Sequence, residues 1–181
     1  MGALSQGEGG SGPPYVAAVV ATILSACAIV GCVVLDVDQP AWLTIAGLVC
    51  LGLAVVFAVP PFFHLRRRGG SAQGDAYYAT ARVVDNGVYG IVRHPQYLGY
   101  SCLILGLSLL NPHVLTLSLA VGVGILFYLQ AIAEERYCLD SFGAAYADFK
   151  TRVPRFNFIL GVFRALYGRL SRKSRSADLG D

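Results

Sequence analysis

The sequence predicts an all-α integral membrane protein, with four transmembrane helices followed by cytoplasmic and interfacial helices at the C-terminal end. Only 14% of the 181 residues are charged and 55% are hydrophobic, whereas about a quarter of the residues of a soluble domain are charged. The mean hydropathy is +0.58. The apolar excess is concentrated in four stretches, Tyr15–Leu35, Ala41–Phe63, Tyr97–Leu110 and Val114–Ala133.

The first, second and fourth stretches are long enough to cross a membrane, because a hydrocarbon core of about 30 Å needs about 20 residues of helix. The third stretch is shorter, but the turn sequence Asn111-Pro112-His113 follows it directly. The third and fourth stretches are therefore predicted to form a helical hairpin.

We expect one membrane domain with two parts. Residues 1–63 are predicted to contain a disordered N-terminal tail and a first transmembrane hairpin without buried charge. Residues 64–181 are predicted to contain a linker that folds over a ligand, the second hairpin and amphipathic C-terminal helices.

The positions of the basic residues predict the orientation of the chain. All 14 Lys and Arg residues lie either between the second and third stretches or from Arg136 onward. The short loops 36–40 and 111–113 contain none. Because short cytoplasmic loops are enriched in Lys and Arg, both termini and the linker are expected in the cytoplasm.

Beyond the fourth stretch, the apolar residues recur at helical spacing. Their spacings of three and four positions predict one helix that breaks near Pro154. The following segment, Phe156–Leu170, is predicted to be an interfacial amphipathic helix. The residues of the first pattern are Leu139, Phe142, Tyr146, Phe149 and Val153.

Two polar clusters flank the predicted second hairpin. Arg93 and His94 precede Pro95, which suits the first turn of the third helix because proline lacks an N–H donor. Two donors at a helix N-terminus favour an anion there. Tyr97 lies one turn on, and Gly99 permits a close approach to the backbone.

The second cluster is Glu134-Glu135, directly after the fourth stretch. Adjacent carboxylates are costly at a membrane surface unless a cation balances them. We therefore expect the fourth helix to continue, with Arg93, Arg136 or a cationic ligand close by. Since the hairpin turn is short, the two clusters are predicted to face each other across one pocket. The five cysteines have no metal-ligand spacing, and we expect neither a metal nor a nucleic acid as partner.

Two segments carry a family resemblance. "GVYGIVRHPQYLG" and "EERYCLDSFGAAYADFKTRVP" resemble the isoprenylcysteine carboxyl methyltransferase and phospholipid methyltransferase superfamily of integral membrane enzymes. The shared pattern is Arg-His-Pro-x-Tyr-x-Gly, an Asn-Pro turn, Glu-Glu, Phe-Gly, a spaced Tyr and Val-Pro. It covers about Thr80–Pro154.

The resemblance implies a methyltransferase that uses S-adenosyl-L-methionine as cofactor and a membrane lipid or lipid-like substrate at the cytoplasmic face. Arg93 and His94 suit the cofactor's carboxylate, and Glu134 suits its ammonium or ribose. Aromatic faces stabilise onium cations. The predicted cofactor-binding residues are Val84, Tyr89, Arg93, His94, Pro95, Gln96, Tyr97, Gly99 and Glu134.

One departure from the family pattern concerns the methyl acceptor. Prenylcysteine carboxyl methyltransferases have an Arg four residues before the cofactor-binding Glu, where this chain has Gln130. Gln cannot pair a carboxylate with a charge, which favours phospholipid amine N-methylation. Prenylcysteine-type carboxyl O-methylation and small-thiol methylation remain alternatives, because Arg136 could supply the charge. Gln130 and Arg136 are the predicted substrate-binding residues. Glu135, a general base for an amine or thiol, and Arg93 are the predicted catalytic residues.

Two alternatives belong to other classes. Membrane sterol reductases have a similar His-Pro-x-Tyr segment that binds NADPH, but they are much longer and prefer Asn at the position of Gln96. A non-catalytic membrane scaffold is the other alternative, and the intact Arg-His-Pro and Glu-Glu pairs argue against it.

Overall fold

The computed structural model describes residues 16–35, 37–68, 83 and 85–178. This part of the chain is helical and contains no strand, which confirms the all-α prediction. The predicted N-terminal tail, most of the linker and Val84 lie outside the described residues. The elements are α1 (Val16–Val34), α2 (Ala41–Arg68), a 3₁₀ helix (Gly87–Gly90), α3 (Pro95–Leu110), α4 (Val114–Phe142), α5 (Ala144–Arg152) and α6 (Phe158–Asp178).

Three helices are long and apolar enough to cross a membrane: α1, α2 as far as Pro61, and α4. The fourth predicted span corresponds to α3, which is apolar but shorter. Many large apolar side chains on these helices point outward, such as Val33 (81% exposed) and Val49 (58% exposed). An exposed apolar surface of this extent is typical of a protein that contacts lipid.

The α3–α4 hairpin forms the centre of the bundle. α1 packs mainly on α4, and α2 packs mainly on α3, so the first two helices are held together largely through the hairpin. Gly47 and Gly106 meet where α2 crosses α3, and a Cβ atom on either residue would lie 3.0 Å from the other's carbonyl oxygen. Glycine therefore permits the close crossing of these two helices.

The turn between α3 and α4 is fixed by neutral hydrogen bonds. Asn111 Nδ2 donates to the carbonyl of Cys32 (2.9 Å) and to that of Leu35. Thr116 Oγ1 donates to the carbonyls of Asn111 (3.1 Å) and His113 (2.9 Å). Because free carbonyls at a helix C-terminus need donors, Asn111 also caps the end of α1.

The predicted continuation of the fourth helix is confirmed, since α4 extends beyond Glu135 to Phe142. The prediction of one unbroken helix up to Pro154 is wrong. Gly143 has a φ of 53°, a conformation that favours glycine, and it separates α4 from α5. The apolar residues of the two helices nevertheless pack together: Tyr146, Phe149 and Val153 are buried against Leu139 and Phe142.

α6 begins and ends later than the predicted amphipathic segment. Gly161 contacts the carbonyl oxygen of Ile91, and the ring of Phe158 lies 5.5 Å from that of Phe57 in α2. The start of α6 is thereby attached to the segment that precedes α3. The side chains of Phe163 (67% exposed) and Tyr167 (74% exposed) lie at the surface.

Candidate active site

The Arg93–His94 segment is held by a return of the chain after α5. The backbone N–H groups of Arg93 and His94 donate to the carbonyls of Pro154 (3.0 Å) and Arg155 (3.5 Å). Pro95 is the first residue of α3 and His94 precedes it as N-cap. This pairing fixes where both side chains lie relative to α4.

Glu135 is the buried centre of the site, with a side chain that is 3% exposed. Arg155 binds it in a bidentate manner, with Nε and Nη2 each 2.8 Å from a carboxylate oxygen. Arg93 Nη2 lies 3.2 Å from Oε1, and Lys150 Nζ lies 3.7 Å from Oε2. The hydrogen bonds to Glu135 raise the pKa of Arg155 above its ordinary range, so this guanidinium stays charged.

His94 lies between the two carboxylates. Its Nδ1 is 3.4 Å from Glu134 Oε2, and its Nε2 is 3.3 Å from Glu135 Oε1. Burial by itself lowers the pKa of His94, but the two carboxylates outweigh it and the pKa is raised. A carboxylate beside each nitrogen stabilises the imidazole in its doubly protonated, cationic form, although Nε2 makes no hydrogen bond to the described residues.

The charges of the site do not cancel. Four basic side chains, Arg93, His94, Lys150 and Arg155, surround Glu135. Glu134 adds a second carboxylate, and its side chain is 30% exposed. A cluster with more cations than carboxylates favours an anionic ligand.

Aromatic rings line the cluster in two rows. The ring of Tyr97 stacks between those of His94 (5.8 Å) and Phe127 (5.3 Å). The ring of Phe156 lies 6.1 Å from that of His94 and 5.9 Å from that of Tyr128. The charged groups are therefore bordered by aromatic faces, which attract cationic ligands.

Several buried polar atoms at this end have no hydrogen-bond partner among the described residues. They include Nε and Nη1 of Arg93 and both amide atoms of Gln130. Gln130 is fully buried and lies one turn before Glu134 in α4. An unpaired buried polar group is costly. A bound ligand would supply the missing hydrogen-bond partners of these atoms.

The structure brings together the predicted site residues Arg93, His94, Tyr97, Glu134 and Glu135. It places several other predicted residues elsewhere in the fold. Tyr89 lies in the 3₁₀ helix, and Gln96 in the first turn of α3. Gly99 packs against α2, because a Cβ atom there would lie 2.6 Å from the backbone nitrogen of Ala58. Arg136 is exposed on α4. Val84 lies outside the described residues.

Lys150 and Arg155 are site residues that the sequence did not predict. Arg93, Arg136 or a cationic ligand was expected beside the two carboxylates, and the structure provides Arg93 together with Lys150 and Arg155. The only indication in the sequence was that Arg155 directly follows the Val-Pro pair that ends the family pattern.

Comparison with known proteins supports the resemblance. A family model described as "Phospholipid methyltransferase" matches residues 42–145, more than half of the chain. The chain belongs to this methyltransferase family. The relatives that it matches are named as isoprenylcysteine methyltransferases. A Homo sapiens protein named "Protein-S-isoprenylcysteine O-methyltransferase" is 32% identical over 137 residues, which cover 70% of this chain and 45% of the relative.

Proteins of the same name from two yeasts match a shorter region. The Saccharomyces cerevisiae protein is 40% identical over 76 residues, covering 39% of this chain and 30% of the relative. The Schizosaccharomyces pombe protein is 34% identical over 73 residues, covering 40% and 31%. The chain thus spans less than half the length of these relatives. No solved structure matches it significantly.

Family membership and three membrane-length helices identify the chain as an integral membrane protein. The residues present suit S-adenosyl-L-methionine, because unpartnered donors on Arg93 match a carboxylate and Glu134 is a partly exposed partner for an ammonium. Among the described residues, no group of His, Cys, Asp and Glu is arranged to hold a metal ion.

Proposed function

We propose that this protein is an S-adenosyl-L-methionine-dependent methyltransferase that acts on a lipid-borne acceptor at the membrane surface. The observation that carries the proposal is the buried polar cluster between α3 and α4. This cluster combines unpartnered donors, two carboxylates and aromatic faces in a chain of a methyltransferase family.

Each part of the cluster has a role in holding the cofactor. Arg93 and the imidazolium of His94 would bind its carboxylate, and Glu134 would bind its ammonium. The ring of Tyr97, stacked between those of His94 and Phe127, would hold the His94 imidazolium in place beside the cofactor. When bound, S-adenosyl-L-methionine supplies a methyl group attached to a positively charged sulfur. Tyr89 in the 3₁₀ helix and Pro95 and Gln96 at the start of α3 remain predicted contacts.

The contacts of Glu135 make it a poor general base. Two guanidiniums and a lysine ammonium lie against its oxygens, and a carboxylate in such surroundings holds protons weakly. We infer that Glu135 holds Arg93, His94 and Arg155 in position. The site then suits an acceptor that needs no deprotonation, and its catalysis would rest on alignment of acceptor and methyl group.

The acceptor is proposed to be carried by a lipid. The 16 residues of α3 span only about 24 Å of a hydrocarbon core about 30 Å thick. The charged end of α3 would therefore lie near headgroup depth, where lipid can approach laterally. The names of the relatives support the prenylcysteine O-methylation alternative, and the phospholipid N-methylation expected from Gln130 is not supported over it. Both classes therefore need a test.

Calorimetry on the detergent-purified chain tests the cofactor assignment. S-adenosylhomocysteine should bind and NADPH should not. His94→Ala and Glu134→Ala should each weaken binding by roughly 10-fold or more, because charge-assisted hydrogen bonds contribute about 1.5–3 kcal/mol. Arg152→Ala is the matched control, since Arg152 pairs with Asp148 on the surface.

Binding of NADPH alone would favour a reductase, and binding of neither ligand would favour a scaffold. If folded His94→Ala and Glu134→Ala proteins bind S-adenosylhomocysteine like the wild type, the proposed cofactor site is wrong.

A further inference from the structure

Arg155 is placed differently from the other cations around Glu135. Its side chain is 25% exposed, whereas that of Arg93 is 9% exposed. While Nε and Nη2 bind Glu135, Nη1 donates to the hydroxyl of Tyr128 at 3.0 Å, and the guanidinium lies 5.1 Å from the ring centre of Tyr128. Arg155 therefore connects the buried carboxylate to a residue nearer the surface.

Tyr128 belongs to the outward-facing surface of α4. It is 46% exposed, and apolar residues on the same side of α4 are exposed as well. Their spacing of three and four positions places them on one side of the helix. On a membrane-length helix, this side contacts lipid chains. The stripe consists of Val121, Ile125, Tyr128 and Leu129.

Phe156 links the Arg155 position to His94. Its ring lies between those of Tyr128 and His94, at 5.9 Å and 6.1 Å. One aromatic border thus runs from the proposed cofactor site to the lipid-facing stripe, with the Arg155 guanidinium on it. A group bound at Arg155 would lie on the lipid side of His94.

The charge surplus indicates what kind of group this would be. Without Arg155, Glu135 would keep three basic neighbours, Arg93, His94 and Lys150. Some of the N–H groups of the Arg155 guanidinium can therefore bind a second anion without leaving Glu135 unpaired. A guanidinium fork matches the two oxygens of a carboxylate or phosphate, whereas the neutral amide of Gln130 cannot supply charge.

We propose that Arg155 binds the anionic group of the lipid-borne acceptor and thereby determines the substrate class. The inference rests on the proposed function, which it deepens. The anion is either the carboxylate of a prenylated cysteine or the phosphate of a phospholipid, and both would approach past Tyr128.

The test measures binding of acceptor probes to the purified full chain without cofactor. Two farnesylcysteine probes are compared, N-acetyl-S-farnesylcysteine and its uncharged carboxamide. Dioleoylphosphatidic acid and dioleoylglycerol form the second pair, with and without phosphate. The variants are Arg155→Gln, Arg155→Lys and, as a matched control, Arg152→Gln on the surface near the same turn.

The wild type should bind the charged member of one pair roughly 10-fold or more tightly than the neutral member. Arg155→Gln should abolish that preference without weakening the neutral probe. Arg155→Lys should keep part of it, and Arg152→Gln all of it. Whichever pair shows the Arg155-dependent preference identifies the anion as carboxylate or phosphate.

A merely structural role for Arg155 gives a different result. Arg155→Gln would then weaken charged and neutral probes alike, and this outcome would overturn the inference. An unchanged preference in Arg155→Gln would overturn it too. If Arg155→Gln does not fold, Arg155→Lys takes its place. A preference for the charged probe that is as large in Arg155→Lys as in the wild type would then overturn the inference. Calorimetry with S-adenosylhomocysteine distinguishes failure of the Arg155 proposal from failure of the proposed function. Only a wild-type protein that does not bind S-adenosylhomocysteine would reject the methyltransferase function.

Discussion

The two ends of the α3–α4 hairpin differ in how their polar groups are satisfied. At the turn end, Asn111 and Thr116 donate neutral hydrogen bonds to carbonyls, and the described residues there carry no Lys or Arg. The buried atoms without a partner there are two neutral acceptors, Oε1 of Gln39 and Oδ1 of Asn111. At the other end, Arg93 and Gln130 keep buried polar atoms without partners, and cations outnumber carboxylates. Neutral, mostly paired groups are typical of a structural joint, whereas surplus charge and unpaired donors are typical of a binding site.

The comparison predicts that the two ends face opposite sides of the membrane. Single cysteines introduced at Gln39 and Asp85, in a background without the native cysteines, should react with a membrane-impermeant reagent from opposite sides. The cytoplasmic side should label only the cysteine at position 85. Cytoplasmic labelling of the cysteine at position 39 alone would reverse the proposed orientation.

Removing the central carboxylate should have the largest effect on stability. Glu135→Gln leaves two buried or partly buried guanidiniums without their anion, and breaking such a pair costs about 3 kcal/mol or more. Thermal unfolding in detergent measures it. Glu134→Gln is the control, and it should cost much less because Glu134 is partly exposed. Equal losses in the two variants would contradict the central role of Glu135.

At the turn end, a smaller loss without a functional effect is expected. Asn111→Ala removes the donor to Cys32 and Leu35 and should cost about 1–2 kcal/mol. Affinity for S-adenosylhomocysteine should stay that of the wild type. A variant that folds but binds the ligand more weakly would show that the two ends are coupled.

Gln130→Met should change stability in the opposite direction. The substitution replaces an unpartnered buried amide by an apolar side chain of similar shape, and should stabilise the ligand-free protein by about 1 kcal/mol. Thr116→Val, a buried but hydrogen-bonded position on the same helix, should destabilise it. If Gln130→Met is destabilising as well, Gln130 has a structural partner.

The smallest expected effect is a pH dependence from His94. Because its pKa is raised in the folded protein, the imidazolium stabilises the fold below the ordinary pKa of about 6.5. That contribution is lost as the pH rises through the raised folded pKa. The Tm of the wild type, relative to that of His94→Gln, should fall across this range. A difference in Tm that does not vary with pH would mean that folding leaves the pKa of His94 unchanged.

The sequence by itself determined the helices and the nearness of the two polar clusters. Apolar length specified the spans, and Pro95 marked the start of α3. The Asn111-Pro112 turn made α3 and α4 neighbours, which brings Arg93 and His94 to Glu135. These features depend on interactions that are local along the chain or on a short connection, so composition and spacing reveal them.

Only the tertiary structure decided which further cations complete the site. Arg155 lies 20 positions after Glu135, beyond the helix break at Gly143 and the turn at Pro154. Its direction therefore depends on the backbone angles at both breaks and on the pairing of Arg93 with Pro154. Likewise, Asn111 reaches Cys32 across 79 positions. Such contacts are set by how helices pack in space, and their residues carry no spacing that would reveal them in the sequence.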